Sequence, residues 1–264
     1  MSLVSGAAQV RQLALTRSAE DNQPLRRLLS EAAAAEPHFA VAEWPTAAFV
    51  DIGVEPDRQA VEHWLGLARA VTFTSRHGAL SWLRQMGAAS LARPGLQVAA
   101  VGEGTAEVLR AAELKVAIIA NEPSTGAHLA QLVADQLLPN KTVLVVQGRL
   151  ARRDLAEGLA RRSLDVRIAT VYANREPAIP AVDLDWLGPQ TLVYAAAPSA
   201  VARILQWFPK AQHCQWAAIG PTTAQALADH GLQPQIVCHS PDLAVVAETL
   251  RRALTLPSAP PPAA

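Results

Sequence analysis

This chain of 264 residues has few cysteines and lysines and no net charge. Its two cysteines, Cys214 and Cys238, form no C-x-x-C pair and have no regularly spaced histidines that would complete a metal site. Only three lysines are present, and Lys+Arg balances Asp+Glu at 23 each. The composition therefore excludes the excess of positive charge that binds nucleic acid or a membrane surface non-specifically. We expect neither nucleic acid, membrane nor metal among its ligands.

Long apolar runs are also missing. No run approaches the roughly 18 consecutive apolar residues of a membrane-spanning helix. The first ten residues lack the charged and apolar regions of a signal peptide, so a cytoplasmic protein is expected. The proline-rich residues 257–264 predict a disordered tail. Half of the chain is hydrophobic, which is enough for one large core or two ordinary ones.

One motif occurs twice. The segment Val101-Gly102-x-x-Thr105-Ala106 follows an apolar run and opens into an amphipathic stretch. The segment Ile219-Gly220-x-x-Thr223-Ala224 does the same 118 residues later. A constant offset with the same turn chemistry indicates a duplicated supersecondary unit.

Short apolar segments alternate with helical patterns through both copies. The order is strand, helix, strand, followed by two further strand–helix pairs, which predicts parallel sheets covered on both faces. We expect an α/β protein with two doubly wound, flavodoxin-like domains joined by a two-segment linker, with a cleft between them. Pro24 is the expected start of the first helix, and residues 44–56 and 173–180 are the expected linkers.

Polar residues collect where predicted strands meet helices. Ligands of parallel sheets bind at such corners, beyond the carboxyl ends of the strands and at helix N-termini. The expected substrate-binding residues are Thr16, Arg17, Thr74, Ser75, Gly102, Thr105, Arg153, Ser199, Gly220, Thr222 and Thr223. A simpler alternative is that each serine or threonine only caps its helix.

Two further residues can be interpreted in two ways. His77 could carry a proton or be a solvated loop residue. Tyr172 ends a predicted strand, so its hydroxyl could point into the expected cleft, or its ring could close the edge of a core. The chain has no Ser-His-Asp order, no Walker sequence and no complete G-x-G-x-x-G fingerprint.

Together these segments resemble the uroporphyrinogen-III synthase family over nearly the whole chain. The resemblance lies in their order, spacing and duplication, because no single motif is specific. Its motifs are Thr16-Arg17, Phe73-Thr74-Ser75, the two Gly-x-x-Thr-Ala corners, the loop from Gly148 to Arg153, Val171-Tyr172 and Pro198-Ser199.

The resemblance implies an enzyme that closes a linear hydroxymethylbilane into uroporphyrinogen III, inverts the last pyrrole ring and releases water. It implies no metal or organic cofactor, and it makes Tyr172 the expected catalytic residue. It also implies a discontinuous first domain of residues 1–43 plus 178–256 and a second domain of residues 46–172. We expect a monomer that makes a transient contact with hydroxymethylbilane synthase.

The chain departs from the family pattern at Ala196-Ala197, where the family commonly carries Thr-Ser. The runner-up hypothesis is therefore a catalytically silent relative that acts as a binding or regulatory module. A sugar-phosphate isomerase or a periplasmic-type binding protein has less support, because the sequence carries no basic phosphate loop and no export signal.

Overall fold

The structure is a computed structural model, which describes residues 12–33, 39–240 and 242–255. The strands are β1 (Gln12–Leu15), β2 (Ala40–Glu43), β3 (Ala48–Glu55), β4 (Ala68–Phe73), β5 (Gln97–Val101), β6 (Val116–Ala120), β7 (Thr142–Gly148), β8 (Asp165–Arg175), β9 (Thr191–Ala195), β10 (Gln215–Ala218) and β11 (Ile236–Val237). The helices are α1 (Ala19–Ala33), α2 (Arg58–Leu67), α3 (Arg76–Met86), α4 (Glu103–Ala111), α5 (Gly126–Ala134), α6 (Asp154–Ala160), α7 (Pro198–Trp207), α8 (Pro221–Asp229) and α9 (Leu243–Thr255). The sequence-predicted tail at 257–264 lies outside the described residues.

The chain divides into two compact units. Unit 1 contains the described residues up to Ala48 and those from Glu176 onward, and unit 2 is Phe49–Arg175. The sheet of unit 1 has the order β11-β10-β9-β1-β2, and all its strand pairs are parallel. In chain order within the unit this is 2-1-3-4-5, the flavodoxin-like arrangement that the sequence predicted.

The sheet of unit 2 has the order β3-β8-β7-β4-β5-β6, and its five strands from β8 to β6 pair in parallel. Apart from β3, each strand of this sheet corresponds in position to one strand of the unit 1 sheet. The strands β8, β7, β4, β5 and β6 take the places of β2, β1, β9, β10 and β11. The pair β7 and β8 takes the places that β1 and β2 hold, although it comes last in its unit and not first. The two units are thus repeats with different chain order, which explains the motif spacing seen in the sequence.

Both faces of each sheet are covered. In β7, Leu144 and Val146 pack into a core with α2, α3 and α4, while Val143 and Val145 pack with α5 and α6. The sheet of unit 1 is covered in the same way, by α1 and α9 on one face and by α7 and α8 on the other. Side chains of a strand alternate between faces, so a strand covered on both sides is apolar throughout.

The structure corrects the predicted linkers. Most of residues 44–56 form strand β3, which lies beside β8, and β8 itself continues to Arg175. The apolar side chains of Val50, Ile52 and Val54 alternate with exposed Asp51 and Gly53, a half-buried strand pattern. Pro45 and Pro56 flank this strand and do not interrupt it.

The predicted start of the first helix is also wrong. Helix α1 begins at Ala19, and Pro24 lies inside it. The hydroxyl of buried Ser18 accepts a hydrogen bond from the Asp21 N–H, so Ser18, and not Pro24, marks the start of this helix.

Candidate functional site

The predicted site residues of unit 2 lie at the carboxyl edge of its sheet. Thr74 and Ser75 follow β4, Gly102 follows β5, Arg153 precedes α6 after β7, and Tyr172 lies near the carboxyl end of β8. The four strands are parallel, so their carboxyl ends share one edge. The structure thus brings these residues to the place where doubly wound sheets bind ligands.

Tyr172 and Ser75 are in direct contact. The Tyr172 hydroxyl lies 3.0 Å from Ser75 Oγ, and either atom can donate the proton. Ser75 is the N-cap of α3, and its Oγ accepts a hydrogen bond from the Gly78 N–H at 3.0 Å. The Ser75 hydroxyl therefore caps α3 and contacts the phenol at the same time. The two interpretations of Ser75 from the sequence, a site residue or a helix cap, do not exclude each other.

Gly148 provides the space for the Tyr172 ring. A β-carbon at Gly148 would come within 2.4 Å of Tyr172 Cζ, so any side chain there would force the ring to move. The two residues are register partners in the pair β7–β8, and the Arg149 N–H donates to the Tyr172 carbonyl at 2.9 Å. The ring therefore lies across the backbone of the neighbouring strand.

An aromatic group surrounds the Tyr172 ring. Phe49 stacks on His77 with ring centroids 3.7 Å apart, and the edge of Phe49 meets Tyr172 at 5.8 Å. His77 lies 6.0 Å from Tyr172 and is half-buried, so it is not a solvated loop residue. Sequence reasoning missed Phe49 because it placed this residue in a linker; the alternation in β3 could have indicated it.

The Gly102 corner requires glycine. Its φ is +77°, and a β-carbon there would come within 2.6 Å of Ser124 Oγ. Thr105, three residues into the corner, is 5% exposed and faces the core with Ala106 and Leu109. The structure therefore gives Thr105 a packing role and leaves the backbone N–H groups at the start of α4 as the polar groups of this corner.

Arginines follow β7. Arg149 pairs with Glu55, whereas Arg152 and Arg153 are exposed and lie at the start of α6. Leu150 between them is 78% exposed. The loop thus carries guanidinium groups, which bind carboxylates in a bidentate way.

In unit 1, Thr16 fixes the strand ends. Its hydroxyl donates to the Tyr194 carbonyl at 2.7 Å and accepts from the Ala196 N–H at 3.1 Å. Its own carbonyl accepts from the Thr46 hydroxyl at 2.7 Å. Thr16 is 1% exposed, so its side chain holds β1 and β9 together and does not reach solvent. Arg17, the next residue, is only half-buried.

Three other corner residues of unit 1 differ in exposure. Ser199 and Thr222 are exposed near the starts of α7 and α8, whereas Thr223 is 2% exposed. Gly220 has extended backbone, with φ of −177°, and caps α8 without a side chain. Ser199 and Thr222 can therefore contact a ligand directly, while the Thr223 side chain packs inward like that of Thr105.

Tyr194 is a buried polar residue that the sequence analysis did not single out. Its side chain is fully buried among the residues that α1 and α9 cover, and its hydroxyl has no hydrogen-bond partner among the described residues. Burial raises its pKa above the ordinary value of tyrosine. Tyr172, which is half-buried, is thus the more accessible of the two tyrosines of this chain.

A surface cavity of about 430 Å³ lies elsewhere in unit 2, along α5 and α6. It contains none of the predicted site residues. Its polar lining residues are Thr125, His128, Gln131, Arg161 and Arg162.

Within residues 12–33, 39–240 and 242–255, no group of three His, Cys, Asp or Glu residues could hold a metal ion. The same part of the chain contains no helix that is both long and apolar enough to cross a bilayer.

Fold and site together define a duplicated, doubly wound α/β protein whose sheets carry hydroxyl, guanidinium and backbone N–H groups at their carboxyl edges, a class that binds polar small molecules there. The chain belongs to the uroporphyrinogen-III synthase family, because the family model described as uroporphyrinogen-III synthase HemD matches residues 29–247.

Solved structures agree on the fold. The chain is 18% identical to a mutant uroporphyrinogen III synthase from the extremely thermophilic bacterium Thermus thermophilus, with 93% of this chain and 99% of that chain covered and a TM-score of 0.56. It is 20% identical to the uroporphyrinogen-III synthetase from Helicobacter pylori, with 92% and 100% covered and a TM-score of 0.57. No curated protein sequence matches the chain.

Proposed function

We propose that this chain is a uroporphyrinogen-III synthase, a cyclising lyase. The observation that carries the proposal is the family match over residues 29–247. In this reaction hydroxymethylbilane loses its terminal hydroxyl as water, and the macrocycle closes with the last pyrrole ring inverted. The protein's task is to assist departure of the hydroxyl and to hold a flexible chain so that the inverting attack outruns simple closure.

The Tyr172 phenol is the proposed proton donor. Ser75 Oγ accepts from the Gly78 N–H and lies 3.0 Å from the Tyr172 hydroxyl. When Ser75 donates its own proton to the phenol oxygen, the phenolic O–H is left to donate to the leaving hydroxyl of the substrate. A positioned hydrogen-bond donor of this kind lowers the barrier to loss of water.

The exposed corner residues are the proposed ligands of the substrate carboxylates. Arg153 of unit 2 and Ser199 and Thr222 of unit 1 are exposed, and Arg17 of unit 1 is half-buried. Carboxylates are also good ligands of the backbone N–H groups at helix starts. Thr16, Thr105 and Thr223 are buried, and we propose that they act through the backbone that they hold in place. The same backbone role is proposed for Thr74, Gly102 and Gly220.

We further propose that the protein works in the cytoplasm as a monomer and receives its substrate through transient contact with hydroxymethylbilane synthase. Cys214 and Cys238 are both free and buried, which fits a reducing compartment. Light scattering at several protein concentrations tests the monomer, and retention of hydroxymethylbilane synthase on an immobilised sample tests the contact.

The decisive experiment supplies hydroxymethylbilane, generated freshly by its synthase, to the purified chain and separates the type III from the type I isomer. We expect type III to predominate, while a sample without the chain yields type I. A sample with the chain that yields only type I would support the silent relative.

A further inference from the structure

We propose that Ser81, Gln85 and Asp51 form a positioning group that sets the orientation of the Tyr172 phenol through the carbonyl of Val171. The inference deepens the proposed function, since it concerns the same site. None of the three residues belongs to the motifs that carry the family resemblance.

The group meets the backbone directly beside Tyr172. The Val171 carbonyl lies 2.7 Å from Ser81 Oγ, and the Gln85 side chain donates to it at 2.8 Å. This carbonyl belongs to the peptide group whose N–H is that of Tyr172, so fixing it fixes the plane from which the tyrosine side chain starts. The Tyr172 carbonyl on the other side accepts from the Arg149 N–H.

Hydrogen-bond accounting explains why both side chains are needed. Ser81 is fully buried, and its single hydroxyl proton can go either to the Val171 carbonyl or to Asp51 Oδ1 at 2.6 Å. The carboxylate is the stronger acceptor. Gln85 satisfies the Val171 carbonyl and also donates to Ser81 Oγ at 2.8 Å.

Asp51 is itself held in place. Arg84 binds its carboxylate in a bidentate way, with both N···O distances 2.8 Å. This guanidinium holds the pKa of Asp51 below its ordinary value, so the carboxylate stays ionised at neutral pH. Asp51 lies in β3, and the other members lie in α3, so the group ties this strand and this helix to β8.

Helix α3 therefore holds Tyr172 at two points. The capping residue of α3, Ser75, contacts the phenol hydroxyl, and Ser81 and Gln85 on later turns contact the backbone before the tyrosine. Tyr172 is thus held at its hydroxyl and at the peptide group that precedes it, and these two contacts restrict the orientations of the phenol. Loss of the second hold would let the hydroxyl move away from the leaving group without changing the residues that bind the substrate.

Two substitutions test the proposal, Ser81→Ala and Gln85→Met. Each is made in the native chain and in the Tyr172→Phe background. Ser90→Ala is the matched control, because Ser90 also links α3 to neighbouring backbone, through the Gly87 carbonyl and the Trp82 indole, but does not touch β8. Gln85 is only half-buried, so its variant remains informative if Ser81→Ala fails to fold.

We expect Ser81→Ala and Gln85→Met to lower kcat by about three- to tenfold with KM changed by less than about twofold. In the Tyr172→Phe background the same substitutions should leave kcat unchanged, because the hydroxyl they orient is gone. Equal losses of kcat in both backgrounds, or no loss in the native chain, would overturn the proposal.

A second measurement separates this inference from the proposed function. The chain has two tyrosines, so fluorotyrosine labelling gives two ¹⁹F resonances, which Tyr172→Phe assigns. Ser81→Ala and Gln85→Met should shift or broaden the Tyr172 signal, while Ser90→Ala leaves it in place. An unmoved Tyr172 signal refutes the positioning role whether or not the chain is a synthase. A native chain without type III product refutes the proposed function alone.

Discussion

The Tyr172 ring occupies the position that a side chain at Gly148 would need. A β-carbon on Gly148 would lie 2.4 Å from Cζ and 2.7 Å from Cε2 of the ring. The glycine sits at an irregularity in the register between β7 and β8, which sets the two residues opposite each other. The location of the phenol is thus determined by the absence of a side chain on the neighbouring strand.

Gly148→Ala should displace the Tyr172 ring. We expect a loss of about 1–3 kcal/mol in the free energy of unfolding, typical of overpacking, and a fall in kcat of at least about tenfold. Gly66→Ala is the control, because Gly66 is an exposed residue near the end of α2 with nothing within 4 Å of its would-be β-carbon. This control should gain up to about 1 kcal/mol and keep its activity. Urea unfolding and the isomer assay check both variants, and native kinetics in Gly148→Ala would contradict the expectation.

Tyr172→Phe tests the proton-donor role. If the hydroxyl assists departure of water, kcat should fall roughly ten- to a hundredfold, about 1.4–3 kcal/mol of barrier, with the type III isomer still favoured. The substitution keeps the ring against Gly148 and Phe49, so the fold should persist. Initial rates with freshly generated hydroxymethylbilane measure the effect. A variant with the native kcat would assign the proton to bound water or to a substrate carboxyl group.

Ser75→Ala separates helix capping from contact with the phenol. Ser75 and Thr125 both cap helices of unit 2 through their side-chain oxygens, but only Ser75 touches Tyr172. Thr125→Ala is therefore the matched control. We expect Ser75→Ala and Thr125→Ala each to lower the free energy of unfolding by about 1 kcal/mol. Only Ser75→Ala should also lower kcat, by about tenfold. Equal kinetics in the two variants would reduce Ser75 to a helix cap.

The parallel sheets and the polar corners follow from the sequence pattern, but the contacts of Tyr172 do not. Short apolar segments alternating with helical patterns predicted parallel sheets, and the corner residues followed from where strands meet helices. The Gly148 contact depends on register between two strands, and register is not visible in one sequence. Phe49 was missed because Pro45 and Pro56 suggested a linker, although both lie outside the strand.

The two buried corner threonines show a different limit. The sequence grouped Thr105 and Thr223 with the accessible residues because both occupy the same place in the repeated motif. Helical spacing could have predicted that Thr105 is buried, because Thr105, Ala106 and Leu109 form one buried face of α4. The repeat thus predicted the equivalence of the two corners but not the direction of their side chains.

Neighbouring threonines of α8 should therefore behave differently on substitution. Thr222 is exposed and Thr223 is 2% exposed. Thr222→Ala should raise KM for hydroxymethylbilane by up to about tenfold, because it removes a hydroxyl that can bind a carboxylate. Thr223→Ala should leave KM within about twofold and act on stability. Initial rates over a range of substrate concentrations decide the matter, and the reverse pattern would mean that Thr223 turns outward to the substrate.

Tyr194 should make the fold sensitive to alkali. Its pKa is raised above the ordinary value by burial, with the nearby Cys238 adding to the rise and Arg17 opposing it. The unfolded chain releases this proton near pH 10, whereas the folded chain keeps it to higher pH, so the stabilising contribution is present below about pH 10 and is lost as pH rises through the folded pKa. In Tyr172→Phe protein the phenolate absorbance reports Tyr194 alone. We expect no ionisation of the native protein at about pH 10.5, full ionisation in denaturant at about pH 11.5, and a falling free energy of unfolding between them. A native titration with a midpoint near 10 would show that water reaches the Tyr194 hydroxyl.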